Sequence, residues 1–164
     1  MGLLHKPVCL SLGIREVIVM ASLKRVELRE TTWRDDRGWG INPLEAAGLS
    51  RESLGNLHVV SIKPGTIRGN HYHTSATEWI LVCGGPAKVV WRSGDEDFIH
   101  EALVRKAEPA LFEIPPNVEH AVLNNSKGDI YLISFSDSYE RGTVRCSSLF
   151  ESIEGKGKSN DSSV

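Results

Sequence analysis

Between Lys24 and Ser136 the chain is cut into short runs rich in Val, Ile, Leu and aromatic residues, and this punctuation constrains the fold most. The runs are Lys24–Glu30, Leu57–Lys63, Glu78–Cys83, Lys88–Arg92, Phe98–Arg105, Ala110–Ile114, Glu119–Asn124 and Asp129–Ser136. Between them stand KPG, CGGPA, RSGDED, EIPPN and NNSKGD, whose Gly, Pro, Asn and Asp favour turns over continued strand or helix. Short strands at such spacing predict an all-β domain, an antiparallel sandwich or barrel. One short helix is expected around Pro43–Gly48, inside the long insertion WRDDRGWGINPLEAAGLSRESLGN.

A chain of 164 residues is one domain's worth and long enough to bury a sizeable core. Its 19 basic and 21 acidic residues leave a net charge of −2, which gives no electrostatic footprint for nucleic acid or an anionic membrane. No apolar run reaches the roughly 18 residues of a membrane span. The three cysteines, Cys9, Cys83 and Cys146, are odd in number and far apart, which points to a reducing, cytoplasmic setting over a disulfide framework.

The first 20 residues invite a signal-peptide reading, but Arg15 and Glu16 break the apolar stretch. Residues 1–22 are therefore read as an N-terminal extension and residues 23–150 as one domain. Residues 151–164, rich in Gly, Ser and Lys, are expected to form a mobile tail.

The stretch GTIRGNHYHTSATEWILVCGG, from Gly65 to Gly85, carries the chemistry. Alternate residues of a strand share a face, so His71 and His73 project together, about 6–7 Å apart along the strand. Both rings can tilt onto one ion at about 2.1 Å, and Glu78 can return beside them on the next strand. His120, at the head of a later strand, is available as a fourth ligand. Taken alone, the pattern also suits a strand and turn whose surface is rich in His.

The intervals resemble the cupin superfamily. Its first motif, G(x)5HxH(x)4E(x)6G, is matched by Gly65, His71, His73, Glu78 and Gly85 at every interval. Its second, G(x)5PxG(x)2H(x)3N, is matched by Pro115, His120 and Asn124, with Pro109 and Asn117 in place of the two glycines. Asn accepts a left-handed backbone nearly as well as Gly, so the second replacement is mild. The resemblance covers about residues 55–136 and implies a jelly-roll barrel (a double-stranded β-helix). Inside it, His71, His73, Glu78 and His120 would hold one divalent ion. Three imidazoles and a carboxylate suit several metals; zinc is expected first, with Fe, Mn or Ni as alternatives.

Two further segments resemble the sugar-nucleotide epimerase branch of that superfamily. These are DDRGW, with Asp35, Arg37, Gly38 and Trp39, and IRGNHYH, with Arg68, Gly69 and His71. The resemblance implies a nucleotide-linked keto sugar as substrate, in polysaccharide or deoxysugar biosynthesis. Arg37 and Arg68 would clamp phosphate, with Tyr72 beside them. His71 would be the family's base, Tyr131 or Tyr139 a proton donor, and Glu78 a further proton carrier. One conflict is built in: a His71 whose lone pair is on a metal cannot also take a proton. A non-catalytic ligand-binding cupin and a non-haem dioxygenase are the alternative readings. A homodimer is expected from the resemblance alone.

Overall fold

The computed structural model describes residues 21–151 apart from 29, 95 and 107. All but the first residue of the expected tail, and most of the expected N-terminal extension, lie outside the described residues. The described chain is mostly β and antiparallel, with strands β1 (Lys24–Arg25), β2 (Thr32–Asp35), β3 (Gly38–Ile41), β4 (Asn56–Ile62), β5 (Ile67–His73) and β6 (Glu78–Cys83). There follow β7 (Ala87–Ser93), β8 (His100–Val104), β9 (Ala110–Ile114), β10 (Val118–Asn124), β11 (Ile130–Ser136) and β12 (Thr143–Arg145). A single helical turn, α1 (Pro43–Ala46), falls where the sequence places it, with Pro at its start and Gly48 at φ +69° just beyond its end.

Two five-stranded sheets form the jelly roll, in the orders β1-β9-β6-β11-β4 and β12-β5-β10-β7-β8. Between them lies the main core, which includes Ile62, Ile80, Val82, Val89, Phe112, Val122 and Leu132. Fully burying one such side chain contributes about 1.5–3 kcal/mol. The central strand β6 reads as an unbroken apolar run because both of its faces are covered. Ile80 and Val82 point between the sheets. Trp79 and Leu81 point outward, under Ile41, Leu44 and Leu49 of the insertion. Trp79 stacks on Phe135 with ring centres 5.9 Å apart.

The insertion is more structured than its polar composition suggests. Its first part is the β2–β3 hairpin, with Asp35 opposite Gly38. The hairpin and α1 cap the outer face of the first sheet, so DDRGW lies on the far side of that sheet from the barrel interior.

Strand β4 reverses the usual alternation. His58, Val60 and Ile62 turn inward, while Leu57 and Val59 on this edge strand stay 57% and 61% exposed.

Candidate metal centre and its cavity

The barrel interior opens into a cavity of about 390 Å³ with Ile80, Val122 and Leu132 on its walls and His71, Glu78 and His120 facing into it. His71, His73, Glu78 and His120 offer ligand atoms that all lie within 4.8 Å of one another, so these four could hold one metal ion. β5 supplies two of them, β6 opens with Glu78, and β10 places His120 opposite His71. Asn117, which stands where the second motif expects glycine, has φ +62° and donates its N–H to the His73 carbonyl at 2.7 Å.

Each ligand is oriented from behind. His120 Nδ1 lies 3.0 Å from the Val118 carbonyl, which only accepts, so Nδ1 carries the proton and Nε2 a lone pair. That buried Nε2 has no hydrogen-bond partner, yet sits 3.2 Å from Glu78 Oε2. His73 Nε2 is 3.1 Å from the same oxygen, and its Nδ1 is 3.0 Å from the Thr143 hydroxyl. The other carboxylate oxygen accepts from the Ser134 hydroxyl and lies 3.3 Å from the Arg141 guanidinium. Lone pairs converging on one buried point repel unless a cation lies among them, so the donor set and the orphaned nitrogen fit a divalent ion.

The electrostatics agree. Burial works against a charged Glu78, but His120 and His73, where they carry a proton towards it, outweigh burial and hold its carboxyl well below the ordinary range; a cation would do the same when those nitrogens offer lone pairs. For His71, burial and then the His120 ring bring the imidazole down to about 4, although Glu78 opposes them. His71 is therefore neutral at physiological pH, with a lone pair to offer.

A β-bulge sets the approach to this centre. His71 pairs with His120, but the next partner of β10, Ala121, faces Gly69, so Asn70 is skipped. Asn70 has φ +54° and Gly69 φ +104°. A side chain at Gly69 would place its Cβ 2.6 Å from the His120 carbonyl oxygen, so only glycine fits this crossing. The skipped residue shifts the phase of the strand. Arg68 now pairs with the inward-facing Val122 and lines the cavity with His71. In an unbroken strand, a residue three positions before His71 would face away from it.

The other expected substrate and proton-transfer residues do not meet there. Arg37 caps the hairpin turn, and its Nε binds Asp35 Oδ2 at 3.1 Å. That bond is the main reason the Asp35 carboxyl is lowered from its usual value. Tyr72 pairs with Val144 on β12 and alternates away from His71 and His73. Tyr131 is 51% exposed, because its strand turns Leu132 inward and Tyr131 outward, and Tyr139 is 78% exposed. Neither tyrosine is among the residues that line the cavity. Glu78 is a poor proton carrier, since both oxygens are engaged and its pKa is lowered.

Residues not anticipated from the sequence also face the cavity, namely His58, Ser134, Thr143 and Arg145. His58 Nδ1 is 3.2 Å from Asn56 Oδ1. Burial, followed by the charge of Arg141, lowers the His58 pKa. Its position in β4 could have been read from the alternation only by accepting Leu57 and Val59 as the exposed set.

Comparison with known proteins places this arrangement. The chain is 27% identical over 103 residues to a UDP-2-acetamido-2,6-β-L-arabino-hexul-4-ose reductase of Pseudomonas aeruginosa, a match covering 63% of this chain and 26% of that protein. It thus spans about a quarter of that relative's length. The capsular polysaccharide assembling protein CapF of Staphylococcus aureus aligns with 26% identity and a TM-score of 0.52, over 57% of this chain and 27% of CapF. A dTDP sugar isomerase of Desulfovibrio desulfuricans aligns over 82% of this chain and 89% of its own, with TM-score 0.65 and 18% identity. A point mutant of the 3,4-ketoisomerase QdtA of Thermoanaerobacterium thermosaccharolyticum, in complex with TDP-4-keto-6-deoxyglucose, aligns over 85% of this chain and 96% of its own, at TM-score 0.54 and 17% identity. The fold is therefore the cupin type shared by sugar-nucleotide isomerases and epimerases. Residues 34–142 match the polysaccharide biosynthesis C-terminal domain, and the chain belongs to that family.

Proposed function

We propose that this chain is an isomerase or epimerase of a nucleotide-linked keto sugar in polysaccharide biosynthesis, with one divalent ion, zinc foremost, on His71, His73, Glu78 and His120. The observation that carries the reading is the bulge at Asn70, which sets Arg68 on the same cavity wall as the ligand tetrad. A guanidinium grips phosphate as a fork, so Arg68 suits the nucleotide end while the tetrad meets the sugar. The relatives' names support this substrate class: a reductase of a UDP-hexulose, a dTDP sugar isomerase and a ketoisomerase holding a TDP-4-keto sugar.

A bound divalent ion would polarise the sugar carbonyl and make the neighbouring C–H more acidic. Epimerisation then needs a group to remove that proton and a group to return one on the opposite face. In this reading His71 is a ligand, which leaves His58 as the cavity imidazole for the proton. Its Nδ1–H donates to Asn56 Oδ1, which leaves Nε2 as the base, and the depressed pKa keeps it neutral. Arg141 holds Glu78 from behind and keeps that carboxylate out of proton transfer. The apolar walls formed by Ile80, Val122 and Leu132 limit water around the enolate.

A homodimer belongs to the same reading, and the exposed Leu57, Val59 and Tyr131 on the first sheet support it. Light scattering should give twice the chain mass.

The test is hydrogen exchange in heavy water with UDP- and dTDP-linked 4-keto sugars and metal-loaded protein. Deuterium should enter beside the carbonyl. His58→Gln should lose exchange with its metal content intact, whereas His73→Ala should lose both. No exchange on any such sugar overturns the assignment.

A further inference from the structure

The segment after residue 142 lies outside the range matched by the family, yet it touches the centre repeatedly. β12 is a three-residue strand at the edge of its sheet, with all three residues exposed. So short an edge strand contributes little by its own pairing. Its alternation nevertheless turns two side chains to the site. Thr143 lies opposite His73 and its hydroxyl reaches His73 Nδ1, while Arg145 lies opposite His71 and lines the cavity.

What holds this strand is the chain beyond it. The Cys146 N–H donates to the Asn70 carbonyl at 2.9 Å, and the Leu149 N–H donates to Asn70 Oδ1 at 3.1 Å. The Leu149 side chain is wholly buried against Val90 and Ala121, on the outer face of the sheet. Asn70 is the bulge residue whose positive φ turns Arg68 inward. One joint therefore sets both arginines: Arg68 through the bulge, and Arg145 through the strap fastened to it. Among the described residues neither guanidinium has an ion-pair partner. Among the described residues Glu78 is the one acid on the cavity wall, and it is occupied by Ser134, Arg141 and His73. Both arginines are exposed residues on one cavity without an ion pair, a pairing that suits a ligand with two negative charges, and their forks fit phosphate oxygens.

We propose that residues 143–149 form a strap that supplies Arg145 as a second anion-binding arginine, held with Arg68 by the Asn70 latch to grip a diphosphate. The diphosphate as part of a sugar nucleotide rests on the function proposed above; the grip itself does not. Calorimetric titration of the metal-loaded full chain with UDP, dTDP and inorganic pyrophosphate tests it. Arg145→Gln should weaken binding about tenfold to a hundredfold, as loss of a charge-assisted contact does. Asn70→Gly keeps the backbone permissive of positive φ but removes the Leu149 acceptor. It should weaken binding about fivefold or more with metal content unchanged. Affinity within twofold of wild type in Arg145→Gln overturns the proposal and leaves the substrate class standing. Weak binding in Arg145→Gln with wild-type binding in Asn70→Gly overturns the latch. Tight, Arg145-dependent pyrophosphate binding without binding of either nucleotide supports the grip and overturns the nucleotide reading.

Discussion

The chain contains two Arg-Gly pairs that look alike in sequence, Arg37-Gly38 and Arg68-Gly69, and the fold gives them different work. Both glycines have positive φ, +144° at Gly38 and +104° at Gly69. Around Gly38 there is open space, whereas Gly69 lies against the backbone of His120 and Ala121. Arg37 folds back on Asp35 at the tip of a hairpin that caps the outside of a sheet. Arg68 is turned into the cavity by a bulge that a neighbouring strand and the C-terminal strap both hold. A short motif thus acquires a role from what its backbone is pressed against.

The sharpest way to break this contrast is to add a methyl group to each glycine. Gly69→Ala forces a Cβ into backbone atoms at 2.6 and 2.8 Å. It should cost about 3–4 kcal/mol in urea unfolding, since strain and overlap add. Gly38→Ala meets no neighbour and should cost about 1 kcal/mol from φ alone. Equal losses at the two sites would erase the distinction.

The arginines come next. Arg68→Ala should weaken UDP or dTDP binding by about tenfold or more, and Arg37→Ala should stay within about twofold. A larger loss at Arg37 would return the hairpin to the binding site.

A pH effect on metal-free protein separates the two regions as well. The His71 pKa is near 4 in the fold, against an ordinary 6.5. The unfolded chain therefore binds more protons between those values, and stability should be full above pH 6.5 and decline towards pH 4. His71→Asn should flatten that decline. The lowered Asp35 carboxyl acts only below its ordinary 3.8 and is fully exposed, so Asp35→Asn should leave the same window unchanged. An unaltered profile in His71→Asn would contradict the assigned shift.

The tetrad was legible because the cupin intervals fix which strand ends face one another, and the structure brings those four side chains within 4.8 Å. The jelly roll was legible in the turn-punctuated strands. The aim of Arg68 was legible only through the resemblance, because simple alternation turns it outward until the Asn70 bulge is known. Tyr131 was misplaced for a related reason: an aromatic within an apolar run gives no sign of which sheet face it occupies. Thr143 and Arg145 escaped notice because TVR is too short and polar to read as a strand. It is held by an asparagine 75 residues upstream of Arg145, and its partner Leu149 gives no local signal. His58 was hidden by the reversed alternation of an edge strand.

The barrel interior is the proposed metal centre. Elemental analysis of the purified protein, with His73→Ala and His120→Ala beside it, tests that most directly. About one divalent ion per wild-type chain is expected, with loss of that ion in both folded variants. Metal content equal across the three proteins, or folded wild-type protein that takes up no ion from a divalent metal titration, would contradict it.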